Sequence, residues 1–173
     1  LSQAAPDAVI YGSSEIDVCT AQLNDMDGDG KQDLLFSGKK LRGGQEYHFG
    51  ALVPGRGEWA AASEVDALVT TRYTSSAANG DVDVSLTDMN GDRKRDVVGR
   101  AYVYRAPRWV EEVMCVWLAG GAQPAEQRTD ACQMRFTGKW PSDVVDINGD
   151  GALDYIVPMD QRGTKPYVWR IGL

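Results

Sequence analysis

The chain has 173 residues, of which 43% are hydrophobic, enough to bury one sizeable core. Its formal net charge of −7 argues against nucleic acid as a partner, because that binding needs basic surface to displace counterions. No run of about 18 apolar residues occurs, so no membrane-spanning helix is expected, and Leu1–Pro6 reads as the start of a mature or trimmed chain.

The first apolar segment, Ala8–Gly12, reads as a strand standing ahead of any repeat. Next, Cys19, Ala21 and Leu23 alternate at period two, the mark of a strand with one buried face. An acidic loop follows, Asp25-Met-Asp-Gly-Asp-Gly-Lys-Gln-Asp33, and then Leu34-Leu35-Phe36 begins another strand. Glu46–Val53 and Ala67–Tyr73 complete a first unit of four strands.

The order then recurs. Val82, Val84 and Leu86 lead into Asp88-Met-Asn-Gly-Asp-Arg-Lys-Arg-Asp96, followed by Val97-Val98, Glu111–Leu118 and Ala131–Thr137. A third pass is one strand short: Trp140, Ser142 and Val144, then Asp146-Ile-Asn-Gly-Asp-Gly-Ala-Leu-Asp154, then Asp154–Pro158 and Tyr167–Gly172. The loops begin 63 and 58 residues apart. Connectors are rich in Gly, Pro, Ser and Asn, as tight β connections require, and no segment carries a helical stripe of ten residues.

These segments predict an all-β chain of three four-stranded units, spanning about 15–78, 79–138 and 139–173. The strand at 8–12 is expected to complete the last unit, in cis or from a second chain. Cys19 reads as a small buried hydrophobe. Cys115 and Cys132 flank a strand–loop–strand and could form a disulfide, leaving Cys19 over.

Oxygen side chains at positions 1, 3, 5 and 9 of a Gly-bearing turn suit a hard, oxygen-seeking cation such as Ca²⁺. The three loops hold ten Asp, and three bound Ca²⁺ would move the charge from −7 to −1. An EF-hand needs a bidentate Glu at position 12 and flanking helices. Position 12 is instead Phe36, Gly99 or Val157, between strands.

Loop and strands together resemble the FG-GAP/VCBS repeat, the blade unit of integrin-α-type β-propellers, along essentially the whole chain. The first and third loops match its Asp-x-Asp/Asn-Gly-Asp-Gly-x-x-Asp pattern throughout, and Phe49-Gly50-Ala51 is an echo of the element that names the family. The resemblance implies propeller-type blades and a Ca²⁺ in each loop. Side-chain oxygens would come from Asp25, Asp27, Asp29 and Asp33, then Asp88, Asn90, Asp92 and Asp96, then Asp146, Asn148, Asp150 and Asp154. The backbone carbonyls of Lys31, Lys94 and Ala152 would add a further oxygen each. In the second loop Arg93 replaces the sixth-position Gly, where a positive φ is costly and nearby positive charge opposes a cation. The expected affinity order is first, third, second.

Catalytic signatures are sparse. The single histidine, His48, sits on a predicted strand and reads as a packing residue, and no nucleophile elbow or Cys–His signature occurs. The expected function is therefore a non-enzymatic, calcium-stabilised binding module outside the cytoplasm (secreted, periplasmic or cell-surface), recognising a protein or glycan through loops. Trp59, Trp109 and Trp117 are candidates for exposed recognition or for packing between blades. The alternative is an assembly or inhibitor-type partner, such as half of a six-bladed homodimeric ring; a glycan-active enzyme is a minor third reading.

Overall fold

The computed structural model describes residues 9–12, 16–42, 45–58, 62–77, 80–105, 108–120, 123–137, 143–145, 147, 154–158 and 168–172. These are mostly strand. After β1 (Val9–Tyr11), the strands β2 (Ile16–Asn24), β3 (Asp33–Arg42) and β4 (Gln45–Val53) form an antiparallel meander. β5 (Ala62–Glu64) and a one-turn helix α1 (Val65–Leu68) lead into β6 (Thr71–Thr74), which pairs antiparallel with β4. A second meander follows in β7 (Gly80–Thr87), β8 (Asp96–Arg105) and β9 (Arg108–Trp117). β10 (Glu126–Arg128) crosses back to the first sheet, and β11 (Met134–Thr137) closes the second by pairing with β9. β12 (Asp143–Val145), β13 (Asp154–Pro158) and β14 (Val168–Gly172) make a third, three-stranded antiparallel sheet. Among the described residues no helix is long and apolar enough to cross a membrane.

The all-β reading and the meander after each acidic loop agree with the alternation in sequence. Four details differ. The segment expected as a strand over 67–73 begins as helix, because Val65 and Leu68 meet the core at i, i+3 spacing and are 1% and 7% exposed. β1 pairs in parallel with β5, Val9 opposite Ala62, and so lies beside the first repeat and not in the sheet of β12–β14. β10 makes the first sheet five-stranded, in the order β10-β6-β4-β3-β2. Finally, Ala21 is exposed and Leu23 is 59% exposed, although of the corresponding residues in β7 Val84 is 8% exposed and Leu86 half-buried. The face is the same in both repeats; among the described residues, α1 covers it in the first over β3 and β4 but not at β2, and in the second a neighbouring sheet covers it.

That covering is the main core. Leu35, Leu52 and Tyr73 of the first sheet pack against Val82, Val84, Val97, Ala101, Val113 and Trp117 of the second, together with Met26 from the first acidic loop. Tyr73 and Trp117 lie with ring centroids 5.0 Å apart. Trp117 is thus buried between sheets, while the side chains of Trp59 and Trp109 lie outside the described residues. The opposite face of the first sheet is covered by α1 through Phe36, Phe49, Ala51, Val53, Val65 and Leu68.

The edge of β7 is also closed by the first sheet. Val84 N–H donates to Ser37 Oγ at 3.1 Å, and Leu86 N–H donates to Gln22 Oε1 at 2.9 Å. Side chains of one sheet so satisfy backbone donors that an edge strand would leave bare.

Candidate metal centre

Each acidic loop joins the first two strands of a sheet, β2 to β3 and β7 to β8. The first two loops share one hydrogen-bond pattern. Asp25 Oδ1 accepts from Gly28 N–H at 2.8 Å and its Oδ2 from Gly30 N–H at 3.0 Å. Asp88 does the same with Gly91 at 2.7 Å and Arg93 at 2.8 Å. The third position, Asp27 or Asn90, accepts from the fifth N–H at 3.0 Å in both loops. The fifth, Asp29 or Asp92, accepts from the seventh N–H at 2.8 Å.

This winding needs two left-handed residues per loop. They are Gly28 (φ 83°) and Gly30 (φ 82°) in the first, and Gly91 (φ 79°) and Arg93 (φ 67°) in the second. Arg93 is the one non-glycine with positive φ among the described residues, so the strain expected from the sequence is present in the backbone.

The ninth-position carboxylate has a different setting from the other three. Asp33 is 1% exposed; its Oδ2 accepts from Met26 N–H at 2.7 Å and its Oδ1 from Gly55 N–H at 2.6 Å, just past β4. Asp96 is 0% exposed; its Oδ2 accepts from Met89 N–H and its Oδ1 from Ala119 N–H, both at 2.8 Å. Burial pushes the Asp96 carboxyl above the usual carboxylate range, and the two N–H bonds oppose that rise. In the third loop Asp154 is likewise 0% exposed and accepts from Ile147 N–H at 3.1 Å. The ninth Asp therefore ties the second loop residue and, in the first two repeats, the end of the third strand to one buried carboxylate. Sequence reasoning saw a ligand and missed this anchor, because its partners Gly55 and Ala119 lie 22 and 23 residues away. The local sign was the apolar residue at position two, since Met26 and Met89 are 1% and 2% exposed.

Asp25, Asp27 and Asp29 bring one carboxylate oxygen each to within 4.8 Å of one another, half-buried or exposed, as a hard cation would need. The Lys31 ammonium already bonds Asp29 Oδ2, which holds the Asp29 carboxyl below its ordinary value and raises the lysine. An entering cation would compete with this side chain for one oxygen. In the second loop Asp88, Asn90 and Asp92 offer two carboxylates and an amide, with Asn90 Nδ2 donating to Asp92 Oδ2 at 3.3 Å. Arg93, Lys94 and Arg95 beside them are exposed. Asp146, Asn148, Asp150 and Ala152 lie outside the described residues.

His48, half-buried in β4, donates its N–H to Asp81 Oδ1 at 3.1 Å, and its Nδ1 lies 3.4 Å from Asp83 Oδ1. It lines a cleft of about 250 Å³ together with Lys40, Tyr47, Arg72, Thr74 and Ser75. Arg72 reaches Asp66 at 3.3 Å and stacks over Phe49. A disulfide joins Cys115 of β9 to Cys132, which stands in the turn before β11 and not in the facing strand. Comparison with protein-family models, with curated proteins and with solved structures gave no match.

Proposed function

We propose that this chain is a calcium-stabilised binding module built of propeller-type blades and working outside the cytoplasm. The observation that carries the reading is the Asp25–Asp27–Asp29 cluster on a loop whose hydrogen-bond pattern recurs, bond for bond, 63 residues later. Fully oxygen-based and acidic, this donor set fits Ca²⁺. Asp25, Asp27, Asp29 and the Lys31 carbonyl would hold the first ion; Asp88, Asn90, Asp92 and the Lys94 carbonyl the second. Asp33, Asp96 and Asp154 keep their side of the loop rigid and negative, and the lone pairs left on their oxygens would serve a cation beside the N–H bonds. The bound ion would relieve the repulsion among clustered carboxylates, so its effect is on stability, and recognition of a protein or glycan falls to the loops around it. The Cys115–Cys132 disulfide is compatible with an oxidising compartment. Calorimetric titration with CaCl₂ and MgCl₂, paired with melting curves in chelator, tests the reading. Calcium-selective binding with a raised Tm supports it, and an unchanged Tm with no heat of binding overturns it.

A second reading is favoured by one observation. Ala21 is exposed and Leu23 is 59% exposed on the face that β7 buries in the next repeat, so the β2 margin of that face, outside the part that α1 covers, is bare. A second copy of the chain, or further blades of the same protein, would cover it in a closed ring. The native mass in calcium decides: a dimer of about 38 kDa, twice the 18.9 kDa chain, supports the ring, and a monomer argues against it.

A further inference from the structure

The connection between β9 and β11 does not turn back at once. It leaves the second sheet, lays β10 along β6 of the first, and returns. Arg72 N–H donates to Ala125 O at 3.0 Å, and Thr129 N–H donates to Thr74 O at 3.1 Å. Thr74 Oγ1 reaches Glu126 at 3.1 Å, Ser76 N–H donates to Thr129 Oγ1 at 2.9 Å, and Arg128 donates to Ser76 O at 3.3 Å. Residues 118–120 and 123–132 thus form a strap from one sheet onto the edge of the other. At its root, Ala119 N–H is held by Asp96, and Gly120 N–H donates to Met26 O at 3.1 Å, so the strap touches both acidic loops.

The parallel pairing of β10 with β6 is only three residues long, and a ladder of that length is weak by itself. Its far end is fixed by Thr129, which is 1% exposed. The Thr129 carbonyl oxygen lies 3.0 Å from Cys115 Sγ and 3.9 Å from Cys132 Sγ. The disulfide is therefore seated directly beneath the residue that pins the strap to β6. Its two sulfurs differ in access: Cys115 is 0% exposed, whereas Cys132 is half-buried in a turn.

We propose that Cys115–Cys132 is a redox latch for this strap. A dithiol reductant attacks Cys132 Sγ, forming a mixed disulfide and releasing Cys115 as a thiolate that takes up a proton. The second thiol of the reductant then closes its own disulfide and frees Cys132, so two electrons and two protons pass to the protein. With the bridge open, the turn that carries Thr129 and Cys132 is no longer tied covalently to Cys115 of β9, β10 leaves β6, and the β6 edge with Arg72, Thr74 and Ser76 becomes free to pair with another strand. The sheets themselves, held by long antiparallel ladders in β2–β4 and β7–β9, stay folded. This latch is independent of any cation.

Hydrogen exchange on the folded chain, before and after dithiothreitol, tests it, with the thiol titre as a check on reduction. A titre higher by two, with exchange at Arg72, Ser76 and Thr129 faster by roughly tenfold or more and exchange at Leu35 and Val98 unchanged, is the expected result. Cys132→Ser should exchange fast at the same three amides without reductant. Three results overturn the proposal: unchanged exchange despite the higher titre, acceleration that includes Leu35 and Val98, or a bridge that dithiothreitol cannot open in the folded chain.

Discussion

Val84 of β7 packs onto the bare backbone of Gly50 in β4, its Cγ1 standing 2.4 Å from where a β-carbon on residue 50 would be. The first and second sheets approach this closely because residue 50 has no side chain. Gly50→Ala is expected to force them apart and cost about 1–3 kcal/mol in urea unfolding. Adding Val84→Ala should recover part of that loss, since the double variant removes the clash it creates. Independent, additive losses would show that Gly50 acts through its backbone alone.

The carboxylates of the first acidic loop are of two kinds, exposed or half-buried at Asp25, Asp27 and Asp29 and buried at Asp33. Asp33→Ala strands the N–H groups of Met26 and Gly55, and a loss of about 2–4 kcal/mol is expected with or without calcium. Asp27→Ala, at an exposed site, should cost about 0.5 kcal/mol or less in chelator. It should also remove the share of calcium stabilisation that belongs to the first loop. Denaturation of both variants in calcium and in chelator checks the division.

Arg93 holds a φ of 67° at a position where the first loop has Gly30. Arg93→Gly should relieve about 1 kcal/mol of left-handed strain and remove one positive charge beside the second cluster. The expected outcome is a higher Tm in chelator and a tighter second calcium site by calorimetry. Wild type should follow the affinity order first, third, second, and tightest binding at the second loop would refute it.

Asp81 is buried at the junction of the two sheets, and burial raises its carboxyl above the ordinary 3.8, against the opposing pull of the His48 N–H bond. A raised folded value means that the folded chain holds the proton more tightly than the unfolded chain. The group's contribution to stability is then full below the unfolded value and is lost as pH rises through the folded one. Asp81→Asn keeps an oxygen for His48 N–H and removes the charge. Its stability relative to wild type should rise as pH goes from about 4 towards neutrality, as read from melting curves across that range. A difference that stays flat with pH would contradict this.

Much of the strand order is legible in particular residues. Alternation at Val82, Val84 and Leu86 marks β7 and the face it buries, and the run Glu46–Val53 matches β4 to within a residue. The same alternation at Ala21 and Leu23 marks a strand but not its cover, because a period of two names a face and not its neighbour. At the site, Asp25, Asp27 and Asp29 cluster as their spacing implies, while the anchoring of Asp33 by Gly55 was illegible.

By itself the sequence determined what is local: strands from alternation, tight loops from Gly and Asp at fixed offsets, and a strained Arg93 from one missing glycine. Only the tertiary structure decided which edges meet. β1 lies along β5, β10 crosses to β6, Val84 seats on Gly50, and Cys132 closes under Thr129. The physical reason is that backbone hydrogen bonds and close packing depend on where distant segments come to rest, and neither leaves a periodic trace in the chain.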